Sequence, residues 1–168
     1  LNPEIDEDEI SIYESNIKKG DFYVKIKDLR TKRSIYFRGF VTGINENITP
    51  SYSPTQYIGR SEDVYVYQKA ERDLSFNLKV YPQNATEQIN MYKKLELLTS
   101  LAYPTYLDDE GEGFSRMQAP FTELYMAHIG TPKEGQFGFI KSLTYTVPEG
   151  GDYDSERSLP RLFDIAIS

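Results

Sequence analysis

Residues 47–82 read NITPSYSPTQYIGRSEDVYVYQKAERDLSFNLKVYP. Pro50 and Pro54 mark the first part as a polar, proline-broken loop that runs to a hinge at Gly59 and Arg60. Beyond the hinge, residues 64–68 (VYVYQ) and 74–81 (LSFNLKVY) alternate. Leu74, Phe76, Leu78 and Val80 share one face, and Ser75, Asn77, Lys79 and Tyr81 share the other. A period of two is the signature of a strand with one covered face, and two such runs in succession predict a β-hairpin.

Upstream, the same periodicity begins after Asp21. Phe22, Val24 and Ile26 fall on one face and Tyr23, Lys25 and Lys27 on the other, which predicts a half-buried strand. Residues 29–33 turn the chain. Residues 34–48 continue as a long, bent strand, with Gly39 and Gly43 supplying a bulge or a close backbone approach, and pair with the first strand as a hairpin.

Downstream, the period changes. Asn84 is placed to accept from first-turn amides and Glu87 stands three residues on, a capping box. Ile89, Tyr92, Leu95, Leu98 and Leu101 or Ala102 recur at helical spacing until Pro104 ends the run. A helix near 85–102 is expected to cover a sheet. Strand patterns return at 121–129, 137–147 and 162–167, separated by a glycine-broken acidic loop at 108–115 and a turn at 130–135. The order β-rich, helix, β-rich contains no βαβ alternation. It predicts an antiparallel β-sandwich or barrel, mainly β, with one flanking helix.

The chain has 168 residues, within the usual size of one domain. Residues 1–20 carry Glu4, Asp6, Glu7, Asp8 and Glu9 without periodicity and are expected to form an acidic N-terminal arm, leaving 21–168 as the β domain. Beginning at Leu1 and ending at Ser168 in a strand pattern, the sequence reads as a trimmed part of a longer chain.

Composition excludes several functions. A formal charge of −7 repels phosphate backbones, so sequence-specific nucleic-acid binding is not expected. No run approaches the ~18 apolar residues of a membrane span, and no membrane insertion is expected. The absence of cysteine removes disulfides, thiolate metal sites and thiol nucleophiles.

Candidate chemistry is sparse. His128 is the sole histidine and sits in an alternating run, as a strand residue would. Asp108, Asp109, Glu110 and Glu112 offer hard oxygen ligands but lack calcium-loop spacing, so no metal or other cofactor is expected. Glu71 and Arg72, with Arg60 and Glu62 nearby, read as interfacial ion pairs at strand ends rather than as an acid–base pair. The 14 tyrosines include Tyr65, Tyr67, Tyr81, Tyr103, Tyr106, Tyr125 and Tyr145, more than one small core hides; some should face partners. No enzymatic activity is expected.

The ordered series from YIGRSEDVYVYQ through LSFNLKVYPQNATEQINMYKKLELLTSLAYPTY to MQAPFTELYMAHIG, GQFGFIKSLTYTVPEGGDYD and LPRLFDIAIS resembles the tube-like baseplate and tail proteins of contractile-tailed bacteriophages. The likeness spans about residues 34–168 and leaves out the acidic arm. It implies a tail-tube-type β-sandwich or barrel with one helix. It also implies a structural virion protein at the tail baseplate, assembled in the host cytoplasm, whose copies join side by side into a ring, usually hexameric. Its partners would be further copies and neighbouring tail-tube or baseplate hub proteins. Under that resemblance Tyr57, Arg60, Tyr65, Tyr67 and Arg72 are the expected subunit interface, as aromatic anchors and ion-pairing groups. An acidic subunit also suits a conduit along which DNA slides without sticking. The alternative is a monomeric β-barrel module that binds a small ligand or sugar on its tyrosines.

Overall fold

A computed structural model describes residues 22–107, 116–126, 129, 134–149, 153–154 and 159–168. The arm expected over residues 1–20, the acidic loop at 108–115 and His128 lie outside the described residues. Two four-stranded antiparallel sheets make the body. The first has the order β2 (Ser34–Phe37), β1 (Val24–Asp28), β7 (Phe121–Tyr125), β8 (Gln136–Phe139). The second has the order β3 (Phe40–Thr55), β4 (Val64–Val80), β12 (Phe163–Ile167), β9 (Leu143–Thr146). Two short hairpins, β5 (Thr105–Leu107) with β6 (Arg116–Gln118) and β10 (Tyr153–Asp154) with β11 (Leu159–Pro160), lie outside both sheets. The result is the expected mainly β, antiparallel sandwich with one flanking helix, α1 (Ala85–Ser100).

The facing sides of the sheets meet through Val24, Ile26, Ile35 and Phe37 from the first and Phe76, Leu78, Val80, Phe163, Ile165 and Ile167 from the second. Each fully buried aliphatic or aromatic side chain contributes about 1.5–3 kcal/mol relative to exposure. Helix α1 adds Met91, Leu95 and Leu98 to the same core, with Leu101 just beyond its end. It touches β2 of one sheet and β9 of the other, where the Tyr145 hydroxyl donates to the Leu95 carbonyl at 3.1 Å. Asn84 caps the N-terminus as the sequence predicts, the Glu87 amide donating to its Oδ1 at 2.8 Å, while the Glu87 carboxylate accepts from the amide of Gln83, one residue before the cap, at 2.7 Å.

The structure corrects four details. The helix buries Gln88, Met91, Lys94, Leu95 and Leu98, whereas Ile89 faces solvent, so the buried stripe is offset from the predicted one. Strand β1 is covered on both faces: Lys25 is buried with its ammonium over the rings of Tyr125 and Tyr36, at 4.8 and 5.7 Å, while Phe22 is exposed. The run 34–48 is not one strand. It breaks at Arg38 and Gly39, where the chain leaves the first sheet and enters the second, so only β2 pairs with β1. The run 137–147 breaks in the same way, β8 pairing with β7 and β9 with β12. Ile35, Phe37 and Val41 keep one parity across the first crossing and all pack on the core, while across the second the same parity passes from exposed Phe137 and Phe139 to core-packed Leu143 and Tyr145, so periodicity alone reveals neither.

Candidate docking surface

The largest departure from the sequence reading lies in residues 47–82. The proline-bearing segment is strand, not loop, and β4 runs unbroken through the two patterns read as separate strands. The hairpin is therefore β3 with β4, in register from Phe40↔Lys79 to Thr55↔Val64. Strand β12 pairs with β4 only from Phe76 to Val80. From Leu74 outward, among the described residues, the two strands pair only with each other. This leaves roughly 35 Å of two-stranded ribbon projecting from the sandwich, at about 3.3 Å per residue.

Register sorts the ribbon into two unlike faces, because directly opposed residues share a face. Ile48, Pro50, Tyr52 and Pro54 of β3 oppose Arg72, Ala70, Tyr67 and Tyr65 of β4. Asn47, Thr49, Ser51, Ser53 and Thr55 oppose Asp73, Glu71, Lys69, Val66 and Val64. The first face is apolar and continues the line of Leu74, Phe76 and Leu78 out of the core. The second is mostly polar, with Asn47 Nδ2 donating to Thr49 Oγ1 at 3.2 Å and an ion pair between Lys69 and Glu71. Between Tyr67 and Lys69, Gln68 has no opposite number, and this bulge brings both tyrosines of β4 onto the apolar face.

Much of the apolar face is in water. Ile48, Tyr52, Tyr65 and Tyr67 are each more than half exposed. The Tyr52 and Tyr67 rings meet edge to face with centroids 5.6 Å apart, which holds them as one ridge. At the tip, the Arg60 amide donates to the Tyr57 carbonyl at 3.2 Å and Gly59 takes φ +86°, a conformation glycine adopts without strain; Ile58 is fully exposed. At the base, Arg72 Nε donates to the Glu46 carboxylate and its Nη1 to Gln136 Oε1 of β8, while Lys141 reaches Asp73 at 2.8 Å.

All five residues expected at an interface thus lie on this hairpin: Tyr57 and Arg60 at the tip, Tyr65 and Tyr67 on the apolar face, Arg72 at the base. Arg72 is engaged within the chain, tying the ribbon to the opposite sheet. Glu71 and Arg72 point to opposite faces and bind different partners, so they form no acid–base pair. The sequence reading misses Ile48, Pro50, Tyr52 and Pro54, although their alternation with Thr49, Ser51, Ser53 and Thr55 was available. Proline is compatible with an edge strand whose amide side faces away from the sheet, and β3 is such an edge.

The other tyrosines divide. Tyr81, Tyr103 and Tyr106 are exposed, whereas Tyr125 is buried and Tyr145 half-buried. Burial pushes the hydroxyl pKa of both upward; for Tyr125 the hydrogen bond to Glu123, at 3.0 Å, adds to the effect.

An open cavity of about 500 Å³ lies at the N-terminus of α1, lined by Arg38, Phe40, Lys79, Tyr81, Glu87 and Lys94 among others. Burial lowers the Lys94 pKa to about 8. Among the described residues Tyr81 is its one tyrosine, and the ribbon tyrosines are not among its walls.

No protein-family model matches the chain, and no curated protein matches it. Among solved structures it is similar to a chain in the cryo-EM structure of the anti-feeding prophage (AFP) baseplate, 6-fold symmetrised, over 92% of each chain, with 8% sequence identity and a TM-score of 0.35.

Proposed function

We propose that this chain is a structural subunit of a contractile phage tail that forms or caps a ring at the baseplate end of the tail tube, in the virion, by side-by-side oligomerisation. The observation that carries this reading is the projecting ribbon. Solvent-exposed Ile48, Tyr52, Tyr65 and Tyr67 along one face are costly to leave uncovered and suited to a partner's surface. The partners are further copies of the chain, with neighbouring tail-tube or hub proteins above and below; no cofactor is required. Tyr57, Arg60, Tyr65 and Tyr67 make the contact, and Arg72 sets the angle of the ribbon.

Sedimentation velocity over a wide concentration range, with negative-stain microscopy of the same samples, tests the reading. Rings or short tubes are expected from the wild-type chain. A triple variant, Arg60→Glu with Tyr65→Ser and Tyr67→Ser, should sediment as a folded monomer with an unchanged melting curve. Rings that persist in this variant would remove the ribbon from the interface. A wild-type chain that stays monomeric and saturably binds a small sugar would favour the ligand-binding alternative, with the 500 Å³ cavity as its site.

A further inference from the structure

The ribbon needs a surface to land on, and the first sheet carries a second exposed apolar patch. Phe121 of β7 is paired with Phe139 of β8, and Glu123 with Phe137. The Phe121 and Phe137 rings stack at 5.1 Å with 32° between their planes. Phe137 is 56% and Phe139 63% exposed, with Phe121 at 40%. Leu124, one residue from Glu123, packs on the core, so alternation places the three phenylalanines on the outer face, away from the second sheet.

Phenylalanine has no polar tip to satisfy in water, unlike the tyrosines of the ribbon. The chain's own ribbon grows from the second sheet and is held at its base by Arg72 against Gln136, whose side chain alternation places on the face of β8 opposite to Phe137 and Phe139.

We propose that the Phe121–Phe137–Phe139 patch is the acceptor surface for the apolar face of the β3–β4 ribbon of a second copy of this chain. The inference rests on the ring-forming reading and adds the surface that reading lacks. An isologous contact, ribbon on ribbon, would leave the phenylalanines in water in both copies. A heterologous contact covers both patches at every junction and, when the rotation closes, generates a ring. The size is adequate: Ile48, Tyr52, Tyr65 and Tyr67 with the three phenylalanines offer on the order of 700 Å² of apolar surface, taking about 100 Å² for each half-exposed side chain. At the apolar share of roughly 57% found in typical interfaces, that corresponds to a contact of about 1,200 Å², the size at which specific interfaces begin.

The test uses two variants of the full chain. Phe137→Ser/Phe139→Ser removes the acceptor, and Tyr65→Ser/Tyr67→Ser removes the ribbon face. Each alone is expected to sediment as a monomer. Mixed in equal amounts they are expected to form a heterodimer and nothing larger, because one intact ribbon can meet one intact patch and the remaining pair is defective at both sites. Rings from the phenylalanine variant, or no heterodimer from the mixture, overturn the acceptor assignment. If the ribbon variant is then still monomeric while wild type forms rings, the proposed function stands without it. A wild-type chain that never associates overturns both. Should the double phenylalanine variant melt early, Phe139→Ser alone leaves the Phe121–Phe137 stack in place and carries the same expectation.

Discussion

Gly39 passes so close to Lys79 that a Cβ built on it would lie 2.5 Å from the Lys79 carbonyl oxygen and 3.2 Å from Leu78 Cδ1. This is the point where the chain leaves one sheet for the other, and the obstruction is backbone, which cannot rotate aside. Gly39→Ala is expected to destabilise the fold by about 2–3 kcal/mol, as overpacking in a tight site does. Gly138→Ala, where a Cβ meets nothing within 4 Å, should be neutral or slightly stabilising. Denaturant melts of the two variants side by side check the contrast.

The helix cap and the residue one turn in from it should pull in opposite directions. Asn84→Ala removes the acceptor for the Glu87 amide and is expected to cost about 1 kcal/mol. Gln88 is buried, and its Nε2 finds no hydrogen-bond partner among the described residues. Gln88→Met replaces an unsatisfied donor with a side chain of similar length and should gain about 1 kcal/mol. Chemical denaturation measures both.

Stability should rise on the alkaline side of neutrality and then fall. Burial holds the Lys94 pKa at about 8 in the folded chain, below its unfolded value near 10.4, so the unfolded state binds more protons between these limits. Stability therefore increases with pH through that window, by about 2 kcal/mol between pH 7.5 and 9.5. Tyr23, Tyr92, Tyr125 and Tyr145 act in the opposite sense: burial raises their folded pKa, so above about pH 10 the unfolded chain loses protons first and stability drops. Lys94→Met should flatten the rise and leave the fall. Unfolding curves at half-unit pH steps for both chains decide it.

Strand patterns, the helix, its cap and the sandwich class could all be read from periodicity, because residues 74–80 and 84–101 have one covered side and the chain records which. What periodicity could not supply was where a strand changes sheet: Ile35, Phe37 and Val41 keep one parity straight through Gly39 and all pack on the core, since each sheet presents one face to it. The candidate site was half visible. Tyr65 and Tyr67 stood out as aromatics in a strand, but Ile48, Pro50, Tyr52 and Pro54 were hidden because proline signals a turn wherever sheet position is unknown. Only the strand order shows that β3 is an edge, where proline is tolerated.

That edge leads to the last expectation. An exposed strand of 16 residues is a template for pairing with any other extended chain, and Pro50 and Pro54 interrupt its row of free amide donors. The prolines would then direct association away from the β3 rim of the ribbon. Pro50→Thr/Pro54→Thr restores two donors at positions already in register with Ala70 and Tyr65, so the fold should be kept, with a stability change within about 1 kcal/mol. Association should become less ordered. Light scattering should grow with concentration beyond the wild-type level, and micrographs should show irregular or fibrous aggregates in place of discrete particles. Scattering and particle shape identical to wild type would mean that the prolines do not guard the edge and that the ribbon's face alone governs association.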